Sequence, residues 1–467
     1  ALATAAGLDD ALVSFHLDEA DASGADRARS LAHRRRAAAL LETALGQPEA
    51  ATAEYERILD RSPGDPEALE ALERLFRAAG RFDRLADVFR RRIAQAEDAE
   101  QRLALLRAFA DVQADRLDDV PGAIATLRRA IQLDPEDVSL LSRLSTLLER
   151  EGRTTELADV LERWAARAPA AVDPVVRLAR VRSEALGDPA AAERLLGRAV
   201  DLDPGNPQAR ELLQDRFEDA VAAGEHAAAR ASGELLARAL EATGDHEALV
   251  AVLQLRASVE PRLAERVALE RAMARIQEEQ LRSPELAFDT LASAFRSAPG
   301  VEGLRDAMEA TADRAGRGAE LDGLYVEAAD QALDPEVQED LLRRAARRME
   351  PNAPETAGAV WRRVLEARPQ DLEALEALDR IESALGRWAA LADVLERREA
   401  LVDTDSERVA LRIRLGNLWD ERLGEPSEAR AWFRRVRSTD PTDPEALEAL
   451  ERLLEGEDGE EAATELA

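Results

Sequence analysis

The segment Asp65-Pro-Glu-Ala-Leu-Glu-Ala-Leu-Glu-Arg-Leu75 occurs more than once in this chain of 467 residues. The same eleven letters return at 443–453, and residues 371–381 repeat them with three changes. Repetition over such distances indicates an array of similar units, each of which buries its apolar face against its neighbours. The sequence therefore predicts a repeat protein rather than one compact core.

The same stretch contains its own helix start. The Asp65 side chain can cap the first free N–H groups, and Pro66 stands where a missing N–H has no consequence. Glu67 then meets the positive end of the helix dipole. Apolar residues follow on one face at helical spacing, at Leu69, Leu72, Leu75 and Phe76.

The composition favours helices throughout. Hydrophobic residues make up 46% of the chain, charged residues 34% and aromatic residues only 3%. The apolar residues are mostly Ala and Leu, which suit closely packed helices better than strands. We therefore expect an all-α protein.

Two short patterns alternate along the chain. In the first, an Ala precedes a large apolar residue by four positions and a Pro by twelve: Ala51/Tyr55/Pro63, Ala123/Leu127/Pro135, Ala192/Leu196/Pro204, Ala287/Leu291/Pro299, Ala357/Trp361/Pro369 and Ala429/Phe433/Pro441. In the second, a Gly precedes a Leu and another large apolar residue: Gly80/Leu85/Phe89, Gly152/Leu157/Leu161, Gly244/Leu249/Leu253, Gly316/Leu321/Tyr325 and Gly386/Leu391/Leu395. Pro stops a helix and a left-handed Gly reverses the chain. Each cycle of about 70 residues therefore holds two helical hairpins.

These patterns resemble the tetratricopeptide repeats. Leu69, Leu72 and Phe76 match the first helix of that family, Gly80 its turn, and Leu85-x₃-Phe89 its second helix, with Leu where the family prefers Ala. The resemblance covers roughly residues 26–455. It implies a right-handed α-solenoid, a superhelix of about twelve antiparallel helical hairpins, and a role in binding proteins.

The repeats suggest five segments. Residues 1–25 fit no repeat and are expected to form a capping segment with a short helix around 8–19. Residues 26–206 form the first half of the array and 244–455 the second. Between them, 207–243 is an irregular unit with an inserted helix around 207–222, because Pro204 and Gly244 are too far apart. Residues 456–467 are an acidic cap or tail.

The charge balance limits the partners. The net charge is −32, and the chain contains neither Lys nor Cys. Such acidity disfavours unspecific binding to nucleic acid, although Arg clusters occur at 33–36, 90–92 and 343–348. The exclusive use of Arg suggests a bacterial genome rich in GC. No apolar run is long enough to cross a membrane, and the compartment stays open between cytoplasm and periplasm.

No pattern typical of an enzyme is present. The four histidines, His16, His33, His226 and His246, show no metal-ligand spacing, and no glycine-rich phosphate loop occurs. Without Cys or Lys there is no thiolate ligand or Schiff-base residue. We expect no catalysis, no metal and no cofactor.

The resemblance implies a concave binding groove. In the family, the second, fifth and ninth residues of each first helix point into it. The corresponding positions are Glu67, Glu70, Arg74, Ser139, Ser142, Thr146, Glu373, Glu376, Arg380, Glu445, Glu448 and Arg452. Paired Glu residues would make an acidic stripe that suits a basic partner segment. The alternative is that Glu70–Arg74 and its counterparts are i,i+4 pairs that only support their helix.

We therefore predict a non-catalytic scaffold that holds protein or peptide partners along this groove. A second hypothesis is a self-assembling subunit, because an open solenoid has two dissimilar ends that can join head to tail. A third is the regulatory part of a longer bacterial protein.

Overall fold

The structure is a computed structural model that describes residues 2–24, 26–301 and 303–454. These residues form α-helices and no strand. The helices are α1 (Leu2–Ala22), α2 (Arg27–Thr43), α3 (Pro48–Arg61), α4 (Pro66–Ala78), α5 (Phe82–Gln95), α6 (Ala99–Asp115), α7 (Val120–Leu133), α8 (Val138–Arg150), α9 (Thr154–Arg167), α10 (Asp173–Arg180), α11 (Pro189–Leu202), α12 (Pro207–Ala223), α13 (His226–Thr243), α14 (His246–Val259), α15 (Leu263–Glu279), α16 (Pro284–Ser297), α17 (Leu304–Ala315), α18 (Gly318–Gln331), α19 (Pro335–Met349), α20 (Pro354–Ala367), α21 (Leu372–Leu385), α22 (Trp388–Glu399), α23 (Asp405–Leu418), α24 (Pro426–Thr439) and α25 (Pro444–Leu454). The prediction of an all-α solenoid built from helical hairpins is confirmed.

The repeated stretch begins a helix in all three of its copies. The Asp65 carboxylate accepts a hydrogen bond from the backbone N–H of Ala68 at 3.1 Å. Asp371 caps α21 in the same way at 2.8 Å, and Asp443 caps α25 at 2.9 Å. The capping residue is therefore the local reason why these first helices start where they do.

The two sequence patterns mark the second helices of alternate hairpins. Gly80 adopts the left-handed conformation with φ 68°, and the chain turns from α4 into α5. The small residue of the first pattern lies on the second helix, where Ala51 and Ala429 are fully buried and let the neighbouring helix approach closely. The large residues Tyr55 and Phe433 lie one turn further on and are buried too.

A second turn recurs where the longer first helices end. After α2, the N–H of Leu45 donates to Leu40 and Gly46 is left-handed, with φ 61°. The same turn follows α6 and α15, but there the left-handed residues are Asp118 (φ 57°) and Arg282 (φ 55°). After α10 and α23 the turn is preceded by a short π-helical segment, at Val181–Ala185 and Trp419–Leu423.

The chain divides into two compact units. The first comprises residues up to 222 together with 227–243, and the second comprises 244 onwards together with the linking stretch 223–226. Between α11 and α14 the chain has two helices, α12 and α13, where other cycles have a single first helix. The helix at the start of the sequence runs from Leu2 to Ala22 and packs against α2. The segment 456–467 lies outside the described residues.

Candidate partner-binding face

We call α2, α4, α6, α8, α10 and α12 the first helices of the first unit, and α15, α17, α19, α21, α23 and α25 those of the second. Within each unit, we call the surface that these helices present its first-helix face. The predicted groove residues lie on four of these helices, α4, α8, α21 and α25. Their side chains are exposed, except that Ser142 and Glu373 are half-buried.

The predicted arginines reach back to the preceding hairpin. Arg74 lies 3.0 Å from Glu42, Arg380 lies 2.9 Å from Glu350, and Arg452 pairs with Asp420. The i,i+4 pairing of Glu70 with Arg74 that the sequence suggested is therefore not the contact that forms. The arginines tie successive first helices together instead.

Two of the predicted glutamates face their own second helix. Glu70 lies 3.7 Å from Arg92 on α5, and Glu376 lies 3.5 Å from Arg398 on α22. Each of these arginines also pairs with a more buried acid one turn further along the first helix, Glu73 in α4 and Asp379 in α21. The two hairpins thus repeat one arrangement of charges.

The remaining predicted glutamates differ in the number and closeness of the hydrogen-bond or ion-pair partners of their carboxylates. Glu373 accepts two hydrogen bonds from Arg347, at 2.6 and 2.7 Å, and these bonds hold its pKa below the usual value. Glu445 accepts a bond of 2.9 Å from the Asn417 amide. Glu67 has only a distant contact of 3.7 Å with Arg35. Within the described residues Glu448 has no partner.

Two of the predicted hydroxyl residues on α8, Ser139 and Thr146, are hydrogen-bonded locally. The Asp137 carboxylate accepts hydrogen bonds from the Ser139 N–H at 2.8 Å and from its hydroxyl at 2.6 Å. The Thr146 hydroxyl donates to the Ser142 carbonyl at 3.2 Å. This helix presents no charge at the three predicted positions, so the first-helix face changes character between α4 and α8.

Buried polar contacts beneath the face were missed from the sequence. Asp379 is 5% exposed and binds the guanidinium groups of Arg398 and Arg414. The Tyr55 hydroxyl donates to Glu42 at 3.2 Å, and burial beside that carboxylate raises the pKa of Tyr55 to about 12. The sequence offered one indication of these contacts, because Glu73 and Arg92 are as far apart in the chain as Asp379 and Arg398.

Arginines of all three clusters that raised the question of nucleic acid pair with acids, in the first cluster Arg34 with Glu54. Arg92 pairs with Glu73, and Arg90 lies 2.7 Å from Asp87. In the third cluster every arginine has at least one carboxylate partner: Arg343 with Asp371, Arg344 with Asp306, Arg347 with Glu373 and Arg348 with Asp322. These pairs neutralise the cluster from within the chain.

Two of the four histidines meet, which the sequence did not indicate. The Nδ1 atoms of His16 on α1 and His33 on α2 lie 3.0 Å apart, with Phe15 against both rings. Burial, followed by the charges of His33 and Arg36, lowers the pKa of His16. In the described part of the chain no group of three or more His, Asp or Glu residues is placed to hold a metal ion. No helix there is long and apolar enough to span a membrane.

The comparisons with known proteins agree with the repeat pattern. A family model described as tetratricopeptide repeat matches residues 68–103, which span most of α4, all of α5 and the start of α6. A curated relative, cellulose synthase 2 operon protein C of Komagataeibacter xylinus, is 34% identical over 130 residues. The match covers 28% of this chain and 9% of that protein.

Among solved structures, the similar ones include YrrB, a tetratricopeptide repeat protein with an unusual peptide-binding site (19% identity, 38% of this chain and 88% of that one, TM-score 0.28). A Naa15/Naa10 complex bound to HypK-THB (15%, 95% and 70%, TM-score 0.31) and MamA (17%, 34% and 90%, TM-score 0.26) are also similar. The match of residues 68–103 to the family model confirms the predicted resemblance of this chain to the tetratricopeptide repeat family.

Proposed function

We propose that this protein is a non-catalytic scaffold that binds extended protein segments along its first-helix face. Tetratricopeptide repeats support such a role in general. The side chains of this face stand on helices that are already folded. Binding a partner therefore does not include the entropic cost of ordering the scaffold.

The proposal in finer detail rests on Glu67 and Glu70, whose carboxylates are exposed and not hydrogen-bonded to arginine. Their side chains are 69% and 57% exposed, and their nearest arginine nitrogens are each 3.7 Å away. That distance is too long for a hydrogen bond, so both carboxylates keep their acceptor capacity. They stand one turn apart on α4, which suits a segment that carries Arg or Lys side chains.

A selection from random peptides displayed on phage tests this. The wild-type chain is expected to enrich peptides rich in Arg and Lys. A Glu67→Arg/Glu70→Arg variant should lose that enrichment, because the same positions then repel cations. Circular dichroism verifies that the variant remains helical.

The matched control is Asp60→Arg/Glu97→Arg, which makes the same change in net charge away from the first-helix face. Both residues are exposed, one on α3 and one in the loop before α6. Equal loss of basic peptides in the two variants would show that net charge alone attracts them, and the proposal for α4 would fail.

A second candidate function is self-assembly, and one specific observation favours it. Leu8, Leu12 and Phe15 lie along one side of α1 and are 65%, 39% and 53% exposed. Apolar side chains in a continuous row are typical of a surface that another helix covers. We propose a second copy of the chain as the occupant. Light scattering should then show oligomers that grow with concentration and that disappear in Leu8→Gln/Phe15→Gln.

A further inference from the structure

A groove lies between α15 and α17 on the first-helix face of the second unit. Its volume is about 450 Å³. Its walls include four alanines, Ala268 and Ala272 from α15 and Ala307 and Ala310 from α17, and the buried Leu291 lies at its base. Small side chains on both walls leave room for the backbone of another segment to approach the helices.

Two cations on one wall of this groove have no counter-ion among the residues that the structure describes. Arg271 and Arg275 stand one turn apart on α15, and both are exposed. Neither has a hydrogen-bond or ion-pair partner among residues 2–24, 26–301 and 303–454. The Arg271 guanidinium extends across the groove towards α17, where its Nη2 atom would lie 3.6 Å from a Cβ placed on Gly303.

The next steps along the same face are filled differently. In these steps, arginines that reach forward to the following first helix meet carboxylates: Arg305 on α17 pairs with Asp340 of α19, and Arg347 on α19 lies 2.6 Å from Glu373 of α21. Opposite Arg271 and Arg275, by contrast, α17 presents the alanines Ala307 and Ala310. Alanines therefore stand opposite Arg271 and Arg275, whereas the next two steps supply carboxylates to the arginines that reach forward.

The acids within the groove do not cancel both cations. Glu278 accepts hydrogen bonds from Arg314 at 2.9 Å and from the Thr311 hydroxyl at 3.3 Å, so its charge is already compensated. Glu279 is the other acid in the lining. The described lining therefore holds three arginines and two glutamates, a net positive charge on a chain whose total charge is −32.

We propose that this groove binds an extended protein segment through acidic side chains, with Arg271 and Arg275 as the residues that hold the carboxylates. The inference rests on the proposed scaffold function and adds a second partner chemistry to it. Since most of the chain repels acidic segments, these two arginines determine where such a segment can bind. Guanidinium groups suit this role because each can donate two parallel hydrogen bonds to one carboxylate.

Fluorescence anisotropy with a labelled oligoglutamate peptide tests the proposal, and its C-terminus is amidated so that only side-chain carboxylates are offered. The wild-type chain should bind this peptide and not the oligoglutamine analogue. Arg271→Gln/Arg275→Gln should weaken binding by roughly tenfold or more, because charge-assisted hydrogen bonds are lost. Ala310→Glu should weaken it as well, because it places a competing carboxylate in the groove.

The control variant is Arg282→Gln/Arg296→Gln, which removes two arginines of the same unit that do not line the groove. An equal loss in this control would overturn the proposal, as would equal binding of oligoglutamine. If only a peptide with a free C-terminus binds, a terminal carboxylate is the ligand and the proposal is wrong. Selection of basic peptides at α4 is a separate readout, so the two proposals can fail independently.

Discussion

The guanidinium of Arg74 on α4 lies 3.0 Å from the Glu42 carboxylate on α2, thirty-two positions earlier in the sequence. Arg380 and Glu350 repeat the relationship at a separation of 30 positions, and Arg452 and Asp420 at 32. The hairpins are thus joined by charged contacts as well as by their apolar faces. The strength of these contacts depends on how far they are removed from water.

Asp379 and Arg74 should differ sharply in their effect on stability. Asp379→Ala leaves Arg398 and Arg414 without their buried counter-ion, and we expect a loss of about 2–4 kcal/mol. Arg74→Ala removes a pair in which the arginine is 62% exposed, so a loss below about 1 kcal/mol is expected. Hydrogen exchange of the α21–α23 and α2–α4 amides measures both, since a repeat array need not unfold in one step. Similar losses at the two sites would contradict this ranking.

Gly416 and Gly323 offer a test of packing between helices. A Cβ on Gly416 would lie 2.6 Å from the Cζ atom of Phe433, a fully buried side chain on α24. Gly416→Ala should therefore cost about 1–3 kcal/mol through overpacking. Gly323 lies in α18 and has open space where a Cβ would stand, so Gly323→Ala should gain about 1 kcal/mol from helix propensity. Thermal unfolding followed by circular dichroism shows whether each variant is less or more stable than the wild type. Stabilisation by Gly416→Ala would refute the close contact.

Replacing Arg282 with glycine should stabilise the turn between α15 and α16. It is left-handed, with φ 55°, where a side chain costs about 1–2 kcal/mol relative to the right-handed region. Arg282→Gly relieves this strain, and we expect a gain of about 0.5–1 kcal/mol in the protection of α15 and α16 against hydrogen exchange. Arg282→Ala keeps the Cβ and removes only the charge, so it should bring no such gain. A gain from alanine would assign the effect to charge instead of backbone conformation.

The contact between α1 and α2 should weaken in acid. The pKa of His16 is lowered in the folded chain, so below its unfolded value of about 6.5 the unfolded state binds more protons. Stability is full above that value and is lost as the pH falls towards the lowered pKa. Exchange of the α1 amides, corrected for intrinsic rates and compared between about pH 7.5 and pH 5, should show the loss. His16→Gln should remove the pH dependence, and its persistence in that variant would exclude His16 as the cause.

The helices and hairpin turns could be predicted because they depend on neighbouring residues. The Asp65 cap, the left-handed Gly80 and the buried Ala51 each act within a few positions, and each appears in the structure as the sequence indicated. The turns at Asp118 and Arg282 could not be predicted in this way, because their left-handed residues are not glycines.

The charged contacts were harder to predict because they depend on how the hairpins stack. The spacing of Glu70 and Arg74 suggested a contact within one helix, whereas Arg74 bonds to Glu42 of the preceding hairpin. His16 and His33 meet only because α1 and α2 are antiparallel and in contact. The groove at Arg271 carries no sequence signature, since its defining property is the pair of alanines that α17 places opposite the arginines.

The backward reach of Arg74, Arg380 and Arg452 places a similar ion pair at three junctions between hairpins. In each of these pairs the arginine points towards the preceding hairpin, which supplies the carboxylate. An inserted or duplicated hairpin that carries both halves of this arrangement meets complementary charge on either side without any compensating substitution. Because these ion pairs can form again when a whole hairpin is added, such a chain can lengthen during evolution one hairpin at a time.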